Sequence, residues 1–237
     1  MQTKHSPNPE IIRNMFSKVA ANYDRGNSVL SMGVHHLWRK KLVKWSGAKF
    51  GQSVLDCATG TGDLAIEFKK AVGPEGKVIG TDFCPEMLIP APAKAKERGL
   101  DITFEQADAT QLQYSDNQFD ITSISFGIRN VSDPVKALKE MARVTRPGGT
   151  VIVLEFGQVQ IPLFGSLYNF YSQNILPKIG GLVTGQKDAY EYLQKSSAAF
   201  PCREGFVDLM KESQAFSAYE YTALTGGIAY IYKGTVK

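Results

Sequence analysis

The sequence predicts an α/β fold, built on a mostly parallel sheet that ends in an antiparallel hairpin. Three observations predict it. From residue 50 onward, short apolar runs alternate with longer helical patterns, the signature of a parallel sheet covered on both faces. Near the C-terminus the strand patterns 219–224 and 228–233 flank Thr225-Gly226-Gly227, a glycine turn that closes a hairpin. Finally, 237 residues with 43% hydrophobic and 21% charged residues suit one ordinary α/β domain with an ample core.

Taken in order, residues 1–49 read as a helical cap. The opening Met1-Gln2-Thr3-Lys4-His5-Ser6-Pro7 lacks a signal-peptide core and no run of about twenty apolar residues follows, so the expected location is the cytoplasm. In residues 35–45, Trp38, Leu42 and Trp45 share one helical face while Arg39, Lys40 and Lys44 occupy the rest. Two readings compete: the tryptophans pack the helix onto the domain, or they rest on an anionic membrane surface. Strands read at 53–57, 77–81, 102–106, 119–125 and 151–155, which with the hairpin makes seven. Helices read after Gly62, after Pro85 and over 135–145. Pro90 and Pro92 remove backbone donors, so the second should break and restart near Ala93. Asp133 is placed to cap the third with Pro134 at its first position, and Pro147-Gly148-Gly149 should turn the chain into the next strand. Residues 156–177 carry no charge and five aromatics, and read as part of a helical cover, 156–200, over an apolar site.

The chemistry concentrates in Val54-Leu55-Asp56-Cys57-Ala58-Thr59-Gly60-Thr61-Gly62-Asp63-Leu64, an apolar run, an acid, a glycine turn and a helix start. Gly60 and Gly62 allow a ligand to approach the backbone, and the helix N-terminus favours electron-rich atoms. With Ala65 and the later Asp82 this also satisfies a dinucleotide pattern. Asp56 discriminates between the two: a carboxylate four positions before Gly60 repels a pyrophosphate and attracts an ammonium. S-adenosylmethionine has that ammonium and no phosphate, and a parallel sheet closed by a hairpin is usual for enzymes that use it. In open α/β sheets ligands bind beyond the carboxyl ends of the strands. Asp82, Asp108, Ala109 and Ser125 collect there, Asp82 for ribose hydroxyls and Asp108 for the adenine amino group or as a loop cap. Phe126 and Met87 are candidates to pack on adenine. Cys57, Cys84 and Cys202 are widely spaced and odd in number, so neither a disulfide framework nor a metal site is expected. A net charge of +4 does not by itself argue for nucleic acid.

Further blocks carry a resemblance. Phe16-x-x-Val19-Ala20-x-x-Tyr23-Asp24, the glycine turn, Ile124-Ser125-Phe126-Gly127-Ile128-Arg129-Asn130-Val131, Leu154-Glu155-Phe156, Ala189-Tyr190-x-Tyr192-Leu193 and Leu224-Thr225-x-Gly227-Ile228-Ala229 occur in one order. Together they resemble the bacterial C-methyltransferases that methylate the quinone ring in menaquinone and ubiquinone biosynthesis. The resemblance implies a Rossmann-like class I S-adenosylmethionine-dependent methyltransferase with a seven-stranded sheet, and donor contacts from Thr61, Asp82, Asp108, Ala109 and Ser125. The implied acceptor is a prenylated quinol, demethylmenaquinol foremost, whose tail stays in the bilayer; peripheral contact with the inner membrane face, a homodimer and no nucleic acid go with it. Arg129 is the candidate to stabilise the developing phenolate or direct a water acting as base, its alternative being a salt bridge to Asp133 or Glu155. Tyr190 and Tyr192 are candidates to bond quinol oxygens, or else pack a helix. The chain departs from the family at Thr59, where a glycine is common, at Gln194, where proline is common, and at Pro90 and Pro92. A nucleic-acid methyltransferase, a NAD-dependent oxidoreductase and a non-catalytic cofactor-binding subunit remain as rival classes.

Overall fold

A computed structural model describes residues 7–159, 161, 165, 168, 170–176 and 185–237. Seven strands form one sheet: β1 (Ser53–Cys57), β2 (Lys77–Asp82), β3 (Thr103–Gln106), β4 (Phe119–Ser125), β5 (Thr145–Phe156), β6 (Phe216–Leu224) and β7 (Ala229–Val236), in the order β3-β2-β1-β4-β5-β7-β6. The first five pair in parallel, while β7 is antiparallel to both β5 and β6. The parallel strands and the terminal hairpin expected from the sequence are therefore present.

Strand β5 is longer than the sequence pattern indicates. Phe119 faces Thr145 but Ile121 faces Thr150, so β5 accommodates extra residues in a bulge that contains the Pro147-Gly148-Gly149 turn. A side chain at Gly149 would lie 2.8 Å from the Asp120 carbonyl oxygen, so this bulge needs glycine there.

The interior strands bury both faces, and successive side chains serve different cores. Leu55, Phe119, Ile124, Val151 and Val153 pack with Leu138, Met141, Phe206 and Tyr232 on one face. Val54, Ile121, Ile152 and Leu154 pack with Trp38, Leu42, Leu64 and Phe68 on the other. The first face is covered by α7 (Pro134–Val144) and α9 (Glu204–Glu212), the second by α3 (Val34–Ser46) and α4 (Asp63–Val72). Before them come α1 (Pro9–Val19) and α2 (Tyr23–Leu30), and α8 is Lys187–Ala199.

Asp133 caps α7 by accepting from the Lys136 N–H at 2.9 Å, with Pro134 at the first turn as expected. The helix after Pro85 breaks into α5 (Pro85–Leu88) and α6 (Ala91–Glu97). Its restart comes at Ala91 rather than near Ala93, because Pro92 falls in the first turn of α6, where a missing N–H costs nothing. The tryptophan question on α3 resolves in favour of packing. Trp38 is buried, Leu42 is fully buried, and the Trp38 indole donates to Thr225 Oγ1 at 2.9 Å. Of the uncharged stretch 156–177, residues 160, 162–164, 166, 167, 169 and 177 lie outside the described residues. Among the described residues no helix is long and apolar enough to cross a membrane.

Candidate active site

The turn after β1 is held by side chains that the sequence placed beside it. Asp56 accepts from Thr59 Oγ1 at 2.6 Å and from Ser123 Oγ at 2.7 Å, and burial pushes its carboxyl up to about 6. It is 1% exposed and does not line the adjoining cavity. Asp56 is therefore a brace behind the turn, held by the Thr59 and Ser123 hydroxyls. The threonine that replaces a common family glycine supplies one of the two hydroxyls that satisfy this buried acid. Gly62 takes φ +83° at the start of α4, and a Cβ there would meet the Phe104 ring at 2.9 Å and Ala91 Cβ at 3.0 Å, so it serves both the turn and close packing.

Beyond the strand ends lies a narrow cavity lined by Gly60, Asp82, Met87, Asp108, Ala109, Ser125 and Phe126. Asp82 Oδ2 accepts from the Gly60 N–H at 2.8 Å and Oδ1 from the Cys84 N–H at 2.9 Å, so it ties the turn to β2 while still facing the cavity. Burial raises its carboxyl to about 6 despite these bonds. Asp108 Oδ1 takes both the Thr110 N–H, at 2.8 Å, and the Thr110 hydroxyl, at 2.9 Å, which is the loop-cap role. Ser125 Oγ is buried in this lining with no hydrogen-bond partner among the described residues. Two carboxylates, an orphaned hydroxyl and the apolar Met87 and Phe126 are a donor set that suits a ligand with amino, hydroxyl and aromatic parts.

A second, larger cavity of about 570 Å³ adjoins it, and the two share Phe16, Tyr23 and Phe126. Its walls are mainly apolar, with Arg129, Arg39, His35, Tyr190 and Tyr192 among the polar groups. Arg129 is 4% exposed; Nη1 donates to Glu155 Oε1 at 2.7 Å and to the Phe126 carbonyl at 2.6 Å. The salt-bridge alternative is realised with Glu155 rather than Asp133, and the same residue also faces the cavity. Glu155 offsets the charge and fixes the plane of the guanidinium, so what Arg129 offers a ligand is directed N–H donation more than net positive field. Tyr190 is buried against this cavity, while the Tyr192 hydroxyl donates to Asn130 Oδ1 at 3.0 Å.

His35 was legible only as part of a basic helix. Ser31 Oγ donates its proton to the Asn27 carbonyl at 2.7 Å, so at 2.5 Å from His35 Nδ1 it must accept from an Nδ1–H. That leaves Nε2 as the acceptor of a ring that burial and the nearby Arg39 push down to about 4.

Thr61 and Asp63 sit outside both cavities, in a partly buried charge cluster. The Thr61 hydroxyl donates to Asp24 Oδ1 at 2.5 Å, and the Lys94 ammonium reaches Asp24 Oδ2, Thr61 Oγ1 and Asp63 Oδ1 at 2.7, 3.0 and 2.6 Å. Arg39 Nη1 closes the cluster on Asp63 Oδ2 at 3.0 Å. Burial pushes the Asp63 carboxyl up, but Arg39 and Lys94 outweigh it and hold it low. His35, His36 and Asp63 bring ligand-type atoms within 4.8 Å, yet two cations already pair with Asp63 and oppose a metal ion there.

Of the sequence-predicted residues, Gly60, Asp82, Asp108, Ala109 and Ser125 share the narrow cavity and Arg129 and Tyr190 the apolar one, while Asp56, Thr61 and Gly62 support the turn from behind. Sequence reading missed the cluster on Lys94, whose partners lie 31 to 70 residues away in the chain.

The family model described as "ubiE/COQ5 methyltransferase family" matches residues 3–236. A relative from Bdellovibrio bacteriovorus named "Ubiquinone/menaquinone biosynthesis C-methyltransferase UbiE" is 85% identical over 235 residues, 99% of this chain and 100% of that one. A protein of the same name from Idiomarina loihiensis is 40% identical over 226 residues, 94% and 90% of the two chains. Among solved structures, a Thermotoga maritima SAM-dependent methyltransferase superposes with a TM-score of 0.66 at 21% identity, covering 95% of this chain and 100% of that one. Haemonchus contortus phosphoethanolamine N-methyltransferase 2, solved with S-adenosyl-L-methionine, does so with a TM-score of 0.60 at 16% identity, covering 84% and 52%. At such identities the likeness speaks for the fold alone.

Proposed function

This chain belongs to the ubiE/COQ5 methyltransferase family, and from that premise we propose how its residues carry out methyl transfer to a quinol ring. It is an S-adenosylmethionine-dependent C-methyltransferase of quinone biosynthesis. The observation that carries our assignment of roles is the pair of cavities that share Phe16, Tyr23 and Phe126, one with carboxylates and a hydroxyl at the strand ends and one more apolar. We assign the cofactor to the first and a prenylated quinol, demethylmenaquinol foremost, to the second. When bound, S-adenosylmethionine supplies an electrophilic methyl on a positively charged sulfur.

In this reading Asp82 accepts from ribose hydroxyls, Asp108 and Ser125 meet the polar edge of the base, and Gly60 and Ala109 give backbone access. Asp56, Thr61 and Gly62 hold the turn in shape. Arg129, fixed by Glu155, donates to the oxygen beside the reacting ring carbon and stabilises it as it becomes phenolate, while Tyr190 bonds a quinol oxygen. The apolar walls exclude water. Residues 1–49 act as a cap and 156–200 as a substrate cover on a single domain, which works at the membrane surface as a monomer or homodimer without a nucleic-acid partner. Labelled S-adenosylmethionine supplied with reduced demethylmenaquinol, and in parallel with a methoxy-polyprenyl-benzoquinol, tests the acceptor. Label in the naphthoquinol product is expected; label in neither product would sink the assignment.

A further inference from the structure

With the tryptophan face of α3 committed to the core, its opposite face remains to be explained. Leu37, Lys40, Lys41 and Lys44 recur at helical spacing on one side of the helix and are all exposed, Leu37 by 65%. Among the described residues none of these three lysines is ion-paired. From position 25 to position 55 the chain has six lysines and arginines and no acidic residue, so nothing within the segment neutralises this face.

The same segment leads to the mouth of the apolar cavity. Met32 lies in the loop between α2 and α3, at φ +49° and 84% exposed, and it lines the cavity. Phe170, on the other lip, also lines the cavity and is 58% exposed. The Tyr171 hydroxyl joins the two lips by donating to the Leu30 carbonyl at 2.9 Å. Exposed apolar groups in the cavity lining and an unpaired basic stripe on the helix that follows Met32 give this one stretch of chain two surface chemistries.

We infer that the Leu37, Lys40, Lys41, Lys44 face of α3, with Met32 beside it, docks on an anionic lipid bilayer so that the apolar cavity opens onto the membrane. The inference rests on the reading of a prenylated acceptor and names the surface through which its tail enters. Leu37 and Met32 enter the interface while the lysines meet anionic headgroups. A nucleic acid would engage the lysines but gain nothing from Leu37 and Met32. A tail passing straight from bilayer to cavity never crosses water, which removes the main barrier to binding so greasy a substrate.

The test is flotation of the full chain with vesicles of phosphatidylcholine alone or mixed with phosphatidylglycerol, with duplex RNA as a competitor. Wild-type protein should bind the anionic vesicles only, and less tightly as salt rises. At about a five-fold affinity gain per lysine near such a surface, Lys40→Gln/Lys41→Gln/Lys44→Gln should weaken binding on the order of 100-fold. Leu37→Gln should weaken it independently. Turnover of a short-tailed demethylmenaquinol in solution should stay at the wild-type level in the triple variant, which shows that the fold and site are intact. Equal vesicle affinity of the triple variant and wild type, absence of wild-type binding, or displacement of the vesicles by RNA would overturn the inference. Vesicle binding that follows the lysines in a protein unable to methylate the short-tailed quinol would instead overturn the acceptor and uphold the surface.

Discussion

Arg129 and Glu155 are buried together, so removing one partner strands the other. Arg129→Met alone should cost about 3–5 kcal/mol of stability by leaving Glu155 unpaired, which confounds any loss of turnover. The cleaner comparison is Arg129→Met/Glu155→Gln, which removes the charge pair together. If Arg129 donates to the developing phenolate, this variant should fold, bind S-adenosylmethionine as the wild type does by calorimetry, and lose about 100- to 1,000-fold in kcat. Near wild-type kcat would remove Arg129 from the chemistry. Asp82 yields a pH dependence whose sign can be worked out. Burial raises its carboxyl to about 6 from an ordinary 3.8, so between those values the folded chain holds a proton that the unfolded chain has lost. Stability from this group is therefore present below about pH 4 and lost as pH rises through about 6. Cofactor binding runs the other way, because the ionised carboxylate is the better acceptor for ribose hydroxyls. Calorimetry should show affinity rising through about pH 6, and in Asp82→Asn it should be about ten-fold weaker and flat with pH. A wild-type affinity that does not change across this range would separate Asp82 from the cofactor.

At the scale of elements, the cluster on Lys94 joins parts of the chain with different tasks. Asp24 belongs to α2, whose Tyr23 lines both cavities; Thr61 and Asp63 belong to the turn and α4; Lys94 belongs to α6. The lysine gives its three protons to three oxygens, so it fastens the cap to the turn. Lys94→Met leaves Asp24 and Asp63 without that cation, and should cost about 2–4 kcal/mol in urea unfolding, with faster amide exchange in α1 and α2 before the sheet opens. Exchange unchanged in those helices would deny that Lys94 holds them. This element-level design was not legible in the sequence, because its ion pairs are long-range and each residue alone reads as a solvated charge. What could be read locally was the capping by Asp133, the proline break after Pro85 and the inward tryptophan face. The two-residue misplacement of the α6 start came from treating Pro92 as an obstacle, when its place in the first turn makes it harmless.

For the whole molecule, the sheet was legible because its interior strands are buried on both faces and read as apolar runs, and because glycine turns punctuate them. The cofactor end of the site was legible for a related reason: a parallel sheet gathers the residues after β1, β2, β3 and β4 at one edge, so Asp82, Asp108 and Ser125 are found by counting from strand ends. The acceptor end was not, since its walls come from α2, α3, α8 and the strand ends together, and only tertiary packing brings His35 and Tyr190 to one cavity. Direct contact of Asp56 with a ligand was inferred from charge and spacing, which cannot tell the front of a turn from the back. Whether the strand-end cavity is a methyl-donor site has a consequence for the entire fold. A ligand that binds the native state alone at 100 times its Kd adds about 2.7 kcal/mol, and for a chain of this length each kcal/mol moves Tm by about 2–4 °C. S-adenosylmethionine should therefore raise the melting temperature by about 5–10 °C. NAD at the same concentration should leave it where it was, because its pyrophosphate would face the Asp82 carboxylate in the cavity, while Asp56 stays behind the turn. Equal stabilisation by both would mean that the glycine turn does not discriminate between methyl donor and dinucleotide on charge.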